Sequence, residues 1–458
     1  MKIDIVELGA QNNSVFNNGP IIQQAIDQVA AAGGGQVIIP AGGVFISGSI
    51  ALKKNVELYV ETGAELRASS DYNDYLPEHN IKTLTNGAVD EFVLPQRAFI
   101  SAFQAHNVRI TGGGTIHGNA DGFIQERGRY IHKMRGPIGG RDQYLERPFT
   151  IFLIESINVT ISEITIKDPA FWALRTTGCN QLLISGIKIE TDLMVPNADG
   201  VDIDRCQDVQ IVDCNFVTAD DCISLKSCSQ TAQYGDVANV VISNCIMTST
   251  SGAITLGTES VGDIKNVLVN NCIVKDSHRG FAVRAREGGT ISQVRFSNSF
   301  VHTRTFSDMW WGHGEALHVT AFSWDDPAKG TDGNIERTYE GFVKDITFEN
   351  ITCQSEAGIL NYAAHPELID GVTYRNVQVT MKKESKWDSR IDLRPNGIEQ
   401  VLDRKHNAFE VINTKNVSII NCSIAWDSLT RDHYLSAINV ENSENFRQQD
   451  VIEIIAGA

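Results

Sequence analysis

A chain of 458 residues, 42% of them hydrophobic and 21% charged, has ordinary globular composition, which excludes intrinsic disorder. Its formal net charge of −17 argues against nucleic acid as a partner and demands a local basic patch wherever a polyanion is to bind. No stretch approaches the roughly 18 uninterrupted apolar residues of a membrane span, so no membrane partner is expected.

The first residues, MKIDIVELGAQNN, lack the apolar run and small-residue cleavage site of a secretory signal, so a cytoplasmic location is the expectation, with a secreted mature form as the alternative. Residues 19–35, GPIIQQAIDQVAAAGGG, read as one amphipathic helix ending in glycines. Short β-branched segments follow. Non-repeating inserts interrupt them at 71–96, 118–146, 304–340 and 381–406, long enough to serve as cleft walls. Nine cysteines run from Cys179 to Cys422, an odd number with no CxxC pair. Free buried thiols are expected, rather than disulfides or a structural zinc.

The β-branched segments repeat. They begin at Val159, Leu182, Val209, Val240, Val267, Val294, Ile346, Val372 and Val417, with steps of 23, 27, 31, 27, 27, 52, 26 and 45 residues. The 52 reads as two steps of 26, and the 45 as one step with an insertion or two short ones. Most copies have no helix-length segment between them, which argues against alternating strand and helix. A propeller blade needs about 40 residues, whereas a period near 25 suits one coil of a parallel β-helix. Equivalent residues then stack about 4.8 Å apart, and the recurring Asn and Cys would form internal ladders. The fold expected is all-β: one right-handed parallel β-helix over residues 1–458, its open apolar end capped by the 19–35 helix.

Two acidic clusters lie about one coil apart, NADG at 197–200 and TADD at 218–221. Each is a short polar turn directly before an apolar strand. Read singly, such aspartates are ordinary turn residues. In register, they would bring Asp199, Asp220 and Asp221 together, where repulsion raises at least one pKa. A protonated acid beside an ionised base is what glycoside hydrolysis requires.

With the segments RPFTIFLIES, DPAFWALRTTGC, NADGVDID, TADDCISLKS, WWGHGEA and DLRPN, the chain resembles glycoside hydrolase family 28, the polygalacturonase and rhamnogalacturonan hydrolase family. The resemblance implies a right-handed parallel β-helix and an inverting reaction on pectin, with no metal or organic cofactor. It implies Asp220 as general acid, with Asp199 and Asp221 as the pair that activates water. Asn197 and Lys226 lie in the same motifs and are substrate-binding candidates. Two departures stand out. Gly252, in SGAITLG, occupies the place of the family's Gly-His-Gly histidine. Ala282-Val283-Arg284 replaces an Arg-Ile-Lys stretch that grips a galacturonate carboxylate. A bacterial branch with similar departures looks exo-acting on pectin fragments.

Other candidates come from local pattern. His278, Arg279, Arg284 and Arg286 form a basic run in an acidic chain, and alternation puts Arg284 and Arg286 on one face, either as a carboxylate clamp or as a salt-bridged rim. Trp310 and Trp311 suit a sugar ring or the core. His313 and Glu315 would bind hydroxyls, and Trp172 reads as coil packing. Arg390, Asp392 and Arg394 form either a far wall or a mutual ion-pair network. The leading function is hydrolysis of pectin-derived oligosaccharides. A polysaccharide lyase or epimerase, with calcium on the aspartates and Arg284 as base, is the main competitor. A non-catalytic carbohydrate-binding β-helix is the third reading.

Overall fold

Alternation along each strand turns every second residue inward, and parallel pairing stacks these residues in columns from coil to coil. The computed structural model describes residues 1–76, 97–124, 147–308, 310–323, 340–394 and 401–456. Two compact units divide the chain: residues 1–220 with 233–235, and residues 221–232 with 236–458.

In the first unit, parallel register aligns Ile3, Val37, Leu58, Ile110, Ile161, Ile184 and Ile211 in one column. A second column holds Phe45, Leu66, Ile116, Ile166, Ile189 and Phe216. A third holds Ile50, Ile100, Ile151, Leu174 and Val201. All of these side chains are buried. Each contributes about 1.5–3 kcal/mol by leaving water, so the columns are the main source of stability.

The helix Gly19–Ala31 buries Ile22, Ala25, Ile26 and Val29 against strands Gly35–Ile39 and Ile50–Leu52. It stops four residues before the expected end at Gly35. Gly33, Gly34 and Gly35 all take positive φ, and a Cβ on Gly35 would stand 1.9 Å from the Met1 carbonyl oxygen. The glycines thus form a tight return into the first coil rather than a last helical turn.

In the second unit, Ile242, Val269, Phe296, Phe348, Tyr374 and Ile419 form one column. Its aromatic members lie nearly parallel. Phe296 and Phe348 have centroids 4.9 Å apart, and Phe348 and Tyr374 5.2 Å apart. Another column runs Ile223, Ile254, Phe281, Leu317, Ile359, Phe409 and Ile438.

Two expectations change. Val294 pairs directly with Ile346, so the 52-residue step is one enlarged coil, not two of 26. Of the two readings of the 45-residue step, one coil with an insertion holds, because Val372 pairs with Val417. Segment 304–340 is not loop throughout: Glu315–Ala321 is a strand paired with Ile273–Ala285 and with Gly358–Ala363. Residues 77–96, 125–146, 324–339 and 395–400 of the four inserts lie outside the described residues.

The asparagines also fall on the opposite side from that expected. Asn239–Asn266, Asn244–Asn271, Asn298–Asn350 and Asn350–Asn376 are joined by side-chain hydrogen bonds of 2.7–3.1 Å on the exposed surface. Each of these has φ between 51° and 60°. The chain bends through one left-handed residue, within a strand at Asn239, Asn266, Asn298, Asn350 and Asn376 and between strands at Asn244 and Asn271, a conformation that Asn tolerates. The residue after it then faces inward. In Asn244-Cys245, Asn271-Cys272 and Asn421-Cys422 that residue is a buried cysteine. All nine cysteines are free and buried, as the odd count suggested.

Phe348 sits inside an unbroken aromatic stack, so Phe348→Ala is expected to destabilise the fold by about 3–5 kcal/mol. A denaturation midpoint within error of the parent would contradict that packing role.

Candidate active site

In the first unit, a turn runs from Thr191 to Gly200 and carries Asn197 and Asp199. Asp192 opens it by accepting from the Met194 amide at 2.9 Å, and Asn197 is left-handed with φ 54°. The main-chain oxygens of Asp199 and Gly200 accept from Ala173 and Leu174 at 2.9 and 3.0 Å, which locks the turn to the preceding coil. Arg147, a residue without an obvious role in the sequence, lies beneath the turn. It donates to the Pro196 and Ala170 carbonyls at 2.6 and 3.2 Å and to Asn197 Oδ1 at 3.4 Å. Asn197 is thus tied to the support of the turn.

The TADD turn is built alike. The Ala219 amide donates to Thr191 Oγ1 at 2.9 Å, and the Thr218 hydroxyl donates to the Asp220 carbonyl. Ala198 and Ala219 share one apolar cluster with Ala120 and Val195. The residues just before Asp199 and Asp220 therefore bring the two turns together. Asp199 is 4% exposed and Asp220 7%, nearly buried for carboxylates. Below them, Arg175 pairs with Asp204 at 2.9 Å, with both side chains buried. The guanidinium faces the rings of Phe152 and Trp172 at 5.0 Å each. Trp172 belongs to a core cluster with Phe149 and Phe171, in line with coil packing.

The second unit begins at Asp221, 8% exposed. Its Oδ1 accepts from Ser251 Oγ at 3.0 Å and from the Gly252 amide at 2.8 Å. Lys226, on the strand Ile223–Ser227, pairs with Glu259 at 3.0 Å.

The remaining candidates of this unit form one network. Arg284 Nη2 donates to the Arg394 carbonyl at 2.7 Å. Burial, and then Arg279, push the Arg284 guanidinium down to about 9, opposed by the carboxylates of Asp221, Asp392 and Glu315. Asp392 is fully buried. It accepts from the Gly312 amide at 3.0 Å and from Arg394 Nε and Nη2 at 2.9 and 2.7 Å, with His313 Nδ1 at 3.6 Å. Burial works to raise this carboxyl, but His313 and Arg394 outweigh it and hold it well below the usual carboxylate range. Glu315 accepts from the His313 amide at 2.9 Å and faces Arg279 at 3.6 Å. Arg394 also donates to the Trp310 carbonyl at 3.3 Å. Arg390 pairs separately with Asp403 at 2.8 Å. Of the two readings for Arg390, Asp392 and Arg394, the ion pairs are present, and they latch segment 390–394 to the WWGHGE loop.

The basic run is not a solvated rim. Arg279, Arg284 and Arg286 are all buried, and Arg286 donates to Thr320 Oγ1 at 2.8 Å. His278 has both ring nitrogens engaged. Nε2 meets the Gly312 carbonyl at 2.6 Å, and Nδ1 accepts from the Phe306 amide at 3.0 Å. Burial, with His313 and Arg279, pushes its pKa to about 3, so the ring is neutral. No ring nitrogen is left for a sugar, and His278 supports the WWGHGE loop from beneath. Trp311 has one face on Trp310, with centroids 5.0 Å apart and planes 9° apart.

The sequence model of the family described as Glycosyl hydrolases family 28 matches residues 35–304. A "Probable polygalacturonase" of Vitis vinifera is 29% identical over 227 residues, 49% of this chain and 44% of that protein. An "Exo-poly-alpha-D-galacturonosidase" of Dickeya chrysanthemi is 24% identical over 296 residues, 56% and 48% of the two chains. The matches thus span about half the length of these curated relatives. A family 28 exopolygalacturonase of Yersinia enterocolitica superposes with a TM-score of 0.67 at 17% identity, over 99% of this chain and 78% of that one. A Thermotoga maritima exopolygalacturonase gives 0.66 at 19%, over 99% and 91%. At these identities the likeness is one of fold, and it identifies the right-handed parallel β-helix.

The Asp392 latch has a pH signature. A carboxyl held low in the folded state adds stability that is complete above its unfolded value, about 3.9, and is lost as pH falls below it. Asp392→Asn is expected to cost about 1–3 kcal/mol near neutrality, with the gap to the parent closing below about pH 4. A gap of the same size at pH 3 and pH 7 would count against the latch.

Proposed function

The chain belongs to glycosyl hydrolases family 28, and from that membership we propose that it is an inverting glycoside hydrolase that removes terminal residues from pectin-derived oligosaccharides. The observation that carries the reading is that both aspartate motifs fall within the matched span, each as a nearly buried polar turn opening a strand. In the proposed reaction Asp220 protonates the leaving glycosidic oxygen. Asp199 and Asp221 draw a proton from a water that attacks the anomeric carbon from the opposite face, and the configuration inverts.

Arg284 is proposed to meet one substrate carboxylate. Ala282 offers none of the charge that the family's arginine supplies, so one acidic sugar is accommodated and an extended polyanion is not. The chain's net charge of −17 points the same way. The name of the Dickeya chrysanthemi relative supports terminal attack. So do residues 310–312 and 392–394, which the Gly312–Asp392 and Arg394–Trp310 hydrogen bonds tie together.

Asp220→Asn is expected to remove hydrolysis almost completely while leaving the fold intact. General acid catalysis contributes about 10²–10⁴-fold, and an amide cannot supply the proton. Parent-like turnover in that variant would dismiss the assigned role. On polygalacturonate, reducing ends are expected to accumulate with little loss of viscosity. A rapid viscosity drop with few new ends means internal cleavage and rules out terminal attack.

A further inference from the structure

We infer that Ser251 and Gly252 are positioning residues for Asp221, and that position 252 is glycine because any side chain there would displace the Asp221 carboxylate. The inference rests on the proposed role of Asp221 in activating water.

Two donors converge on one oxygen. Ser251 Oγ and the Gly252 amide reach Asp221 Oδ1 at 3.0 and 2.8 Å. Two bonds to a single oxygen fix both the side-chain torsion and the carboxylate plane, and bonds to an ionised acceptor are about twice as strong as neutral ones. The Gly252 peptide works from both ends. Its amide holds the Asp221 side chain, while its carbonyl accepts from the Cys222 amide at 2.9 Å. The carboxylate and the main chain that follows it are therefore set by the same peptide group on the neighbouring strand.

Ser251 is itself held. Its amide donates to Ser249 Oγ at 2.8 Å, and its carbonyl accepts from Ser277 Oγ at 3.5 Å. The run Ser249-Thr250-Ser251-Gly252 thus supplies the donor and the group that orients it. Both Ser249 and Ser277 are fully buried, so these contacts do not compete with bulk water.

The steric half of the inference is independent of the bonds. A Cβ built on Gly252 stands 2.7 Å from Asp221 Oδ1 and 2.6 Å from Thr255 Oγ1. Neither neighbour can yield cheaply. Asp221 is pinned by the two bonds just described, and Thr255, 1% exposed, is enclosed in the core. The strand register places Arg279 beside Gly252 on the next coil. The site is therefore closed to the histidine that the resembling family carries at this place. Its absence here is a change in how the carboxylate is held, not an erosion of the site.

The test compares kcat and KM for reducing-end release from an enzymatic digest of pectin, using the parent, Ser251→Ala, Gly252→Ala, Gly252→His and Asp221→Asn. Ser251→Ala removes a single oxygen and is expected to fold as the parent. It should lower kcat by roughly ten- to a hundredfold with KM nearly unchanged, the loss of one charge-assisted bond. Gly252→Ala and Gly252→His should lower kcat by about a hundredfold or more, as expected for a reacting group displaced by about 1 Å. A purely structural role would instead lower the melting temperature of Ser251→Ala and leave kcat alone. If Asp221→Asn is inactive while Ser251→Ala keeps parental kcat, or if Gly252→His raises turnover, the clamp is overturned and the catalytic reading stands. If Asp221→Asn itself keeps parental kcat, the catalytic reading fails and takes this inference with it.

Discussion

Each coil has to give its main-chain hydrogen bonds to the next one, and the corner residues make that geometry available. A single left-handed residue, within a strand or between two, bends the chain without breaking the parallel register. Asn239, Asn244, Asn266, Asn271, Asn298, Asn350 and Asn376 all occupy such corners. The side-chain amides then bond to one another along the surface. Because the corner faces outward, the residue after it faces inward, and that parity decides what the core receives. The buried cysteines Cys245, Cys272 and Cys422 follow from it.

Much of this was legible in the sequence, because a repeat is a one-dimensional signal. The period near 26, the strand content, the capping role of Ile22, Ile26 and Val29, and the free thiols could all be read from residue type and spacing. The errors share a cause. Spacing counts residues but not the path they take, so a 52-residue step looked like two coils when it was one coil with a long excursion. The strand Glu315–Ala321 was hidden within that excursion. The side of the asparagine ladder was likewise invisible, because it depends on φ. The end of the first helix was misjudged because Gly35 is pressed against Met1 and Gly34 against Asn55, contacts between residues far apart in sequence.

The candidate residues divide along the same line. The aspartates were conspicuous because two polar turns recur one coil apart. Arg147 was not, since two of its hydrogen bonds go to the Ala170 and Pro196 carbonyls, which leave no trace in side-chain chemistry. The Asp392 latch joins residues eighty positions apart through the Gly312 amide, which no local pattern records. The significance of Ser251 and Gly252 was the hardest to see, because the informative feature at position 252 is the lack of a side chain. His278 read as part of a basic clamp or rim from its neighbours, whereas in the structure it is buried with both ring nitrogens engaged.

The enlarged coils carry an evolutionary consequence. Val294 meets Ile346, and Val372 meets Val417, in the same register as coils half that length. The cost of closing a loop grows only with the logarithm of its length, about 0.6 kcal/mol for each doubling. Segments can therefore lengthen, shorten or be exchanged between related chains without shifting any residue of the ladder. The scaffold separates inheritance into two parts: columns and aspartate turns that must be copied in register, and excursions that can be rewritten freely. New substrate preferences can then arise by insertion and deletion within the excursions, with the ladder unchanged.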